Sequence, residues 1–165
     1  MIQHKEQRVG VFVDVQNLYY SAKNLYQSKV NFGRLLMEVV AGRKLIRAMA
    51  YVIRGPQSID DHFFTALDKQ GFEIKAKDLQ VFPGGNKKGD WDVGLVIDAI
   101  RMARSLDVVV FITGDGDYIP AVEYLQNHGL LVEVAAFEET CSSKLRDRAD
   151  NFWNMSVDRK KFLIK

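Results

Sequence analysis

Short apolar runs alternate with amphipathic segments along most of the chain. A continuous apolar run bounded by turn residues is typical of a buried strand, whereas apolar residues spaced three or four positions apart indicate a helix. The pattern predicts strands one to five near residues 9–15, 45–55, 72–82, 107–113 and 130–137. It predicts helices near residues 17–27, 32–42, 58–71, 91–104, 119–129 and 142–149. The chain is therefore predicted to be an α/β protein.

This alternation predicts a mostly parallel sheet that is covered by helices on both faces, which makes a three-layer α/β sandwich. We expect five strands in the order 3-2-1-4-5, with a sixth strand left open. Strand three alternates apolar and polar side chains, so it is expected to be half-exposed or at an edge. In such sheets ligands bind beyond the carboxyl ends of the strands, where the strand order reverses. Strands one and four would flank that point.

Aspartates stand at the ends of these two strands. Asp14 ends strand one, and Asp115 and Asp117 follow strand four with one glycine between them. Asp92 begins the helix that leads into strand four, so its carboxylate is expected at the same edge of the sheet. Several carboxylates at one edge repel one another unless a cation holds them together. The sequence therefore predicts a divalent-metal site.

Each of these aspartates also has a structural interpretation that needs no metal. Asp14 and Asp117 could cap the helices that follow them, and Asp92 in a first turn could interact favourably with the helix dipole. Capping and metal binding are compatible, so both interpretations stay open for Asp117. For Asp90, which precedes the helix that starts near Trp91, capping is the preferred interpretation.

Length and composition fit a single small domain. With 165 residues and a formal net charge of +2, bulk electrostatics favour neither nucleic acid nor any other partner. The single cysteine, Cys141, excludes an internal disulfide and suits a reducing compartment. Because no apolar run is long enough for a membrane span and the N-terminus is too polar for a signal peptide, a cytoplasmic location is expected. We expect one domain over 1–165, with a core at about 9–155 and a basic tail at 156–165.

Four segments carry a resemblance to a known family. They are 12–17 (FVDVQN), 88–100 (KGDWDVGLVIDAI), 112–129 (ITGDGDYIPAVEYLQNHG) and 142–152 (SSKLRDRADNF). In this order they resemble the NYN domain of the LabA-like group, which is part of the PIN-like nuclease superfamily. The likeness covers nearly the whole chain, and it is the combination of motifs that makes it specific.

The resemblance extends to individual residues. Asp14 and Asn17 match the family's aspartate and asparagine at the end of strand one. Asp92 matches the acid at the start of the fourth helix. Thr113 and Tyr118 depart from the serine and phenylalanine that the family has beside its two aspartates, but they keep similar chemistry. PIN-like enzymes often carry a glutamate from an earlier helix as well, for which the nearest candidate is Glu38.

The resemblance implies a ribonuclease that hydrolyses RNA phosphodiester bonds with one or two bound Mg²⁺ or Mn²⁺ ions. Such an ion neutralises charge on the phosphate and lowers the pKa of a bound water. The implied catalytic residues are Asp14, Asn17, Asp92, Asp115 and Asp117, of which the four aspartates would bind the metal. Residues that could support these ligands without binding the ion are Asp98, Asp90 and Thr113.

Asp98 lies six positions after Asp92, so the two do not share a face of a regular helix. It could therefore support the site from behind, or pair with Arg101 or Arg104. Two glycines, Gly114 and Gly116, are expected to let the backbone turn sharply and approach a ligand closely.

An RNA substrate also needs a surface beside the acidic residues. The RNA-binding candidates are Arg54, Lys87, Lys88, Trp91 and Tyr118, of which the two aromatic side chains could stack on bases. For Trp91, packing is an equally good interpretation. The expected partner is single-stranded or structured RNA, with no membrane contact and with homodimer formation left open. The basic tail is expected to be loosely docked or to contact a second copy.

Other classes of protein fit the sequence less well. A receiver domain needs a phosphoacceptor aspartate at the end of strand three, where Phe82 and Pro83 stand. A Toprim-type site needs a glutamate in place of Asp14, and a nucleotide-binding Rossmann protein needs a glycine-rich turn that 12–17 lacks. The alternative that stays open is a non-catalytic RNA-binding or regulatory module with the same fold.

Overall fold

The computed structural model describes residues 3–55, 61–85 and 87–165, and it describes only the backbone of residues 87 and 88. The first half contains β1 (Arg8–Asp14), α1 (Val15–Tyr26), β2 (Lys29–Val30), α2 (Phe32–Val40), β3 (Lys44–Arg54), α3 (Asp61–Lys69), β4 (Glu73–Asp78), β5 (Gln80–Val81) and β6 (Lys87–Lys88). The second half contains α4 (Asp92–Met102), β7 (Val108–Ile112), α5 (Ile119–Asn127), β8 (Leu131–Ala136), α6 (Ser143–Arg148), β9 (Asn151–Asn154), α7 (Arg159–Phe162) and β10 (Leu163–Ile164). The first residues of the helix predicted from residue 58 lie outside the described residues.

A six-stranded sheet with the order β4-β3-β1-β7-β8-β9 forms the middle layer, and all of its strand pairs are parallel. The α/β class and the mostly parallel sheet are as predicted. The order differs from the five-strand prediction, because β9 adds a sixth strand beyond β8. This strand was not predicted, since its four residues include two asparagines and form no apolar run. The alternating strand three corresponds to β4, which lies at an edge.

The apolar core lies on both faces of the sheet. On β1, Val11 and Val13 belong to one buried cluster, which includes residues of α1, α2 and α3. Phe12 belongs to the other, which includes residues of α4, α5 and α6. Because β1 is buried on both faces, its continuous apolar sequence is what its central place in a parallel sheet requires.

The end of the chain packs against the fold rather than being loosely docked. In α7, Phe162 is only 8% exposed and joins the first cluster. In β10, Leu163 and Ile164 pair antiparallel with β2. The tail is therefore not loosely docked, because Phe162 packs into the core and β10 pairs with β2. Contact with a second copy, the other expectation for the tail, stays a prediction. Within the described ranges, no helix combines the length and the apolar character that a membrane span needs.

Candidate metal and nucleic-acid site

Asp14 occupies the junction between the central strand β1 and helix α1. The helix begins at the next residue, and Asp14 Oδ1 accepts a hydrogen bond from the Asn17 backbone N–H at 3.3 Å. The aspartate therefore caps α1, as one of the two interpretations of its position predicted. Its second oxygen, Oδ2, accepts a hydrogen bond from Thr113 at 3.3 Å. The capping role leaves this carboxylate at the carboxyl edge of the sheet.

The end of β7 is tied to the end of β1. The side-chain oxygen of Asn17 accepts a hydrogen bond from the Gly114 N–H at 2.9 Å. The hydroxyl of Thr113, which also binds Asp14, accepts one from the Asp115 N–H at 3.3 Å. Residues from the two central strands are therefore held in one hydrogen-bonded network, as their neighbouring positions in the sheet allow.

Asp115 continues this network into a short 3-10 helix at Gly116–Tyr118. Its Oδ1 accepts a hydrogen bond from the Asp117 N–H at 2.9 Å, so Asp115 is the capping residue. Of the two interpretations left open for Asp117, the structure does not support capping, because the 3-10 turn begins earlier than the predicted helix. Asp117 is instead exposed, and its carboxylate is free of capping contacts among the described residues.

The glycines of this turn are explained by a neighbouring segment of the protein. A Cβ on Gly114 would lie 2.8 Å from the Thr140 carbonyl oxygen, and one on Gly116 would lie 3.0 Å from Ser142 Oγ. Neither glycine has a positive φ. The close approach of the segment that leads into α6 is the reason that the structure gives for these glycines, and the expected approach to a ligand stays a prediction.

Three carboxylates meet at this edge of the sheet. Asp92, Asp115 and Asp117 each offer an oxygen, and these oxygens lie within 4.8 Å of one another. Asp92 is oriented by the Tyr118 hydroxyl, which donates a hydrogen bond to Oδ1 at 3.1 Å. Asp14 is not within this compact group, but it is linked to Asp115 through Thr113. The arrangement concentrates negative charge at the ends of β1 and β7.

Burial and this concentration of charge change the acidity of the side chains. Burial raises the pKa of Asp14 to about 6, and the nearby charges of Asp92 and Asp115 add to the increase. Burial also raises the pKa of Asp92, again with contributions from neighbouring acids. Tyr118 stays protonated as a donor, because burial raises its pKa far above the usual range. A group of carboxylates of this kind could hold a cation, which would offset their mutual repulsion.

An open cavity of about 520 Å³ adjoins these residues. Three of the four predicted metal ligands line it, and Asp117 does not. We call it the acidic cavity; among its lining residues are Asp14, Asn17, Asp90, Trp91, Asp92 and Asp115.

One wall of the acidic cavity was not predicted. Gln16, Tyr20 and Asn24 project into it from α1. They are spaced four residues apart, so they form a polar stripe along one side of the helix. That spacing in the sequence was the signal that could have identified them. Tyr20 is 53% exposed, which makes it an accessible aromatic side chain beside the carboxylates.

Asp98 lies in a separate buried network. Its Oδ2 accepts hydrogen bonds from the Tyr51 hydroxyl at 2.8 Å and from Lys75 Nζ at 2.7 Å. The predicted pairing with Arg101 is present but long, at 3.9 Å. Burial alone would raise the pKa of Asp98, but the hydrogen bonds from Lys75 and Tyr51 outweigh it and lower the pKa. These contacts give Asp98 partners of its own, and its supporting role at the metal site stays a prediction.

Two further predictions about acids are corrected. Asp90 does not cap α4, since Trp91 holds the capping position and no side chain provides the cap. Asp90 is instead an exposed residue of the acidic cavity. Glu38, the candidate for the family's additional glutamate, pairs on α2 with Arg34 at 3.0 Å and with Lys161 at 2.7 Å. Glu38 is therefore committed to contacts with α2 and α7.

The predicted aromatic RNA contacts have different environments. Tyr118 is 1% exposed, so the prediction that it stacks on bases was wrong. Trp91 is half-buried, and its Nε1–H donates to the Val52 carbonyl oxygen at 2.8 Å. Its ring packs edge-on against Tyr51 at 5.3 Å and lies under Lys77 Nζ at 4.7 Å. Packing therefore accounts for most of the Trp91 side chain, although it also lines the acidic cavity.

The predicted cationic contacts follow β3 and β4. Arg54 is exposed at the end of β3, and its guanidinium lies 5.3 Å from the centre of the Phe64 ring. The backbone of Lys87 and Lys88 forms strand β6, which pairs antiparallel with β5. Their side chains lie outside what the structure describes, so the prediction for Lys87 and Lys88 stays a prediction.

Comparisons with known proteins give a consistent result. A family model of the NYN domain matches residues 8–156. The chain is 26% identical over 170 residues to the Low amplitude and bright protein LabA of Synechococcus elongatus, which covers 96% of this chain and 88% of that protein. It is 26% identical over 152 residues to an uncharacterised protein of Methanocaldococcus jannaschii, with 88% of this chain and 54% of that protein covered.

A crystal structure of a protein of unknown function from Vibrio parahaemolyticus is similar over the whole fold. The TM-score is 0.87 at 32% identity, and the match covers 99% of this chain and 100% of that one. The α/β architecture, the family match and the LabA relative agree with the resemblance carried by the four sequence segments. The chain therefore belongs to the NYN domain family, and its fold is PIN-like.

Proposed function

We propose that this protein is a ribonuclease that depends on Mg²⁺ or Mn²⁺ and hydrolyses RNA phosphodiester bonds in the acidic cavity. The observation that carries the proposal is the group of three carboxylate oxygens within 4.8 Å of one another, on Asp92, Asp115 and Asp117. They stand where the two central strands end, which is where parallel α/β sheets bind ligands. Membership of a PIN-like nuclease family supports the same reaction.

The residues present suit a hard divalent cation. Every donor is an oxygen, as Mg²⁺ and Mn²⁺ prefer. Burial and then the neighbouring acids raise the pKa of Asp14 and of Asp92, and a bound cation would offset both effects. Asp92, Asp115 and Asp117 would hold the ion, and Asp14 would complete its surroundings. When bound, the ion would supply charge neutralisation for the phosphate and a lower pKa for the attacking water.

The protein's own contribution is to orient its donors before substrate binds. Thr113 fixes Asp14 relative to Asp115, and Tyr118 fixes Asp92. The side-chain oxygen of Asn17 accepts a hydrogen bond from the Gly114 N–H, which fixes the orientation of the amide group. Among the described contacts nothing accepts from the Asn17 amide nitrogen, so this nitrogen can donate to a phosphate oxygen. Such preorganised donors lower the cost of reaching the transition state.

The alternative is a non-catalytic RNA-binding or regulatory module. The observation that favours it is the position of Glu38, which is paired with Arg34 and Lys161 rather than with the carboxylates. A site without that additional acid would hold a metal more weakly. This alternative predicts RNA and metal binding without turnover.

Cleavage of a mixed pool of single-stranded and structured RNA in Mn²⁺ tests the proposal. We expect cleavage by the wild-type protein, and we expect EDTA or Asp115→Asn to abolish it. Asparagine keeps an oxygen that can accept from the Asp117 N–H, so the local turn is preserved. Asp68→Asn, which removes the same charge from an exposed position on α3, serves as the matched control and should cleave normally.

Calorimetric titration with Mn²⁺ separates the two candidates. A folded wild-type protein that binds Mn²⁺ and RNA but leaves every RNA intact would overturn the nuclease and support the regulatory module. Cleavage that survives in Asp115→Asn would instead show that the hydrolysis takes place elsewhere.

A further inference from the structure

We propose, on the basis of the nuclease function above, that single-stranded RNA reaches the acidic cavity along a groove beside α1 that ends at the C-terminal tail. This path differs from the one expected from Arg54 and the lysines of β6. We call it the α1 groove, and the residues that define its charge and aromatic character are Tyr20, Lys23, Tyr26, Lys29, Arg159 and Lys160.

Three depressions adjoin one another along α1, since neighbouring ones share a lining residue. The acidic cavity and a second depression of about 500 Å³ are both lined by Asn24. The second depression and a third of about 420 Å³ are both lined by Ser28. Helix α1 has 12 residues, which corresponds to a length of roughly 18 Å. The surface is therefore long enough for several nucleotides.

The charge along the groove changes from acidic to basic. Lys23 and Lys29 line the second depression, and Arg159, Lys160 and Lys165 line the third. None of these five cations forms an ion pair with a residue that the structure describes. They are exposed and available to phosphates, whereas the carboxylates that would do the chemistry stand at the other end.

One acid lies close to this row of cations. The carboxylate of Glu139 accepts a hydrogen bond from the Tyr26 hydroxyl at 2.8 Å and binds the Ser156 hydroxyl. The hydrogen bond from Ser156 is the main cause that lowers the pKa of Glu139, and the charge of Arg159 adds a smaller contribution. Glu139 thus orients Tyr26 beside the groove, and it leaves the other cations unneutralised.

Aromatic rings alternate with these cations. Tyr20 is exposed in the acidic cavity, Tyr19 lines the second depression and Tyr26 the third. Lys23 Nζ lies 5.9 Å from the centre of the Tyr19 ring, and the Arg159 guanidinium lies 5.2 Å from that of Tyr26. Grooves that bind single strands combine cations for the phosphates with rings on which bases stack.

The groove favours RNA over an acidic peptide because of where it leads. A single strand whose phosphates lie on Lys29 and Lys23 would present the next phosphodiester to the carboxylates beside Tyr20. An acidic peptide has no phosphodiester to place at these carboxylates, so the link between the groove and the acidic cavity would not favour its binding. Double-stranded RNA is read across broad surfaces, whereas this groove follows one helix.

A pair of charge-reversed variants tests the path. The groove variant carries Lys23→Glu, Lys29→Glu and Arg159→Glu. The control carries Lys5→Glu, Lys69→Glu and Arg104→Glu, which change the charge by the same amount. These exposed residues lie shortly before β1, β4 and β7, at the amino ends of the strands, whereas the carboxylates lie at the carboxyl ends. Both are made in the Asp115→Asn background so that RNA stays intact. Binding of a fluorescent 20-nucleotide single strand is measured over a range of salt.

We expect the groove variant to bind at least about tenfold more weakly, with a salt slope lower by about 2, since each phosphate contact contributes roughly 0.7 for single strands. The control should bind as the parent does. Equal losses in both variants, or no loss in the groove variant, would overturn the proposal. The proposal would also be overturned if polyglutamate competed for the groove as strongly as unlabelled RNA does. If the groove variant fails to fold, the same substitutions to glutamine replace it, with a smaller loss expected.

The outcome is separable from that of the nuclease proposal. If the wild type cleaves RNA in Mn²⁺ while the groove variant binds normally, the α1 groove fails and the nuclease stands. If the wild type never cleaves while the groove variant loses binding selectively, the groove stands and the nuclease fails.

Discussion

Thr113 on the loop after β7 donates a hydrogen bond to Asp14 at the end of β1, with 3.3 Å between Oγ1 and Oδ2. The same hydroxyl oxygen accepts a hydrogen bond from the Asp115 N–H. One buried hydroxyl thus links the carboxylate of Asp14 to the backbone of Asp115. Residues of this kind often influence metal affinity without touching the ion.

Replacing this hydroxyl should weaken the site and leave the fold intact. We expect Thr113→Val, which keeps the shape, to reduce Mn²⁺ affinity or cleavage by about 10- to 100-fold. Thr113→Ser keeps the hydroxyl and should retain most of both. Calorimetric titration and the RNA cleavage assay measure the two effects. Equal behaviour of the valine and serine variants would contradict the role assigned to the hydroxyl.

The raised pKa of Asp14 predicts a pH-dependent stability of the metal-free protein. Because the folded protein holds the Asp14 proton up to a pKa of about 6, the free energy of unfolding should fall as pH rises from about 4 through that value. Asp14→Asn keeps the helix cap and removes the charge. We expect it to be more stable than wild type by about 1–3 kcal/mol at pH 8 and equally stable at pH 4.

Urea denaturation in EDTA at the two pH values measures this difference. Saturating Mn²⁺ should reverse the order at pH 8, since only the wild type gains the full binding free energy. A stability difference that is the same at both pH values would argue against a buried, repelled carboxylate at this position.

Asp98 is expected to serve stability rather than catalysis. Its depressed pKa means that the charged form is stabilised in the folded protein, so this stability is present at neutral pH and is lost as pH falls through the folded-state pKa. We expect Asp98→Asn to lower the free energy of unfolding by about 2 kcal/mol at pH 7. Mn²⁺ affinity should be unchanged. A variant of full stability that loses Mn²⁺ binding would return Asp98 to the metal site.

Tyr20 is expected to stack on a base beside the carboxylates. Tyr20→Ala should weaken the binding of single-stranded RNA by about 1–3 kcal/mol, and Tyr20→Phe should retain it. Tyr124→Ala is the matched control, because Tyr124 is also exposed but packs against His128 on α5. Fluorescence anisotropy in the Asp115→Asn background measures all three. Losses of equal size at Tyr20 and Tyr124 would rule out a specific platform.

The five apolar strands and the acids at their ends could be anticipated from local sequence. Asp14 and Asp115 each follow an apolar run that is too continuous for an exposed strand, and their positions at strand ends follow from that alone. The sixth strand escaped prediction because Asn151–Asn154 has no such run. Its pairing with β8 depends on a neighbour that the local sequence does not specify.

Side-chain environments were harder to anticipate than strand ends. Tyr118 lies next to an exposed aspartate in the sequence, yet it is buried among α4, α5 and the sheet. Gly114 is required by a carbonyl oxygen that lies 26 positions further along the chain. In both cases the neighbour that determines the environment of the residue is distant in sequence, so neither periodicity nor a motif predicts it.

The sequence by itself determined the α/β class, the family resemblance and the acids that stand at strand ends, because periodicity and motif spacing are local properties of the chain. Only the tertiary structure decided that Asp92 joins Asp115 and Asp117, that Asp98 pairs with Lys75, and that α1 and the tail border one groove. These relationships depend on which elements pack together and on what they bury. Packing and burial are set by contacts across the whole fold.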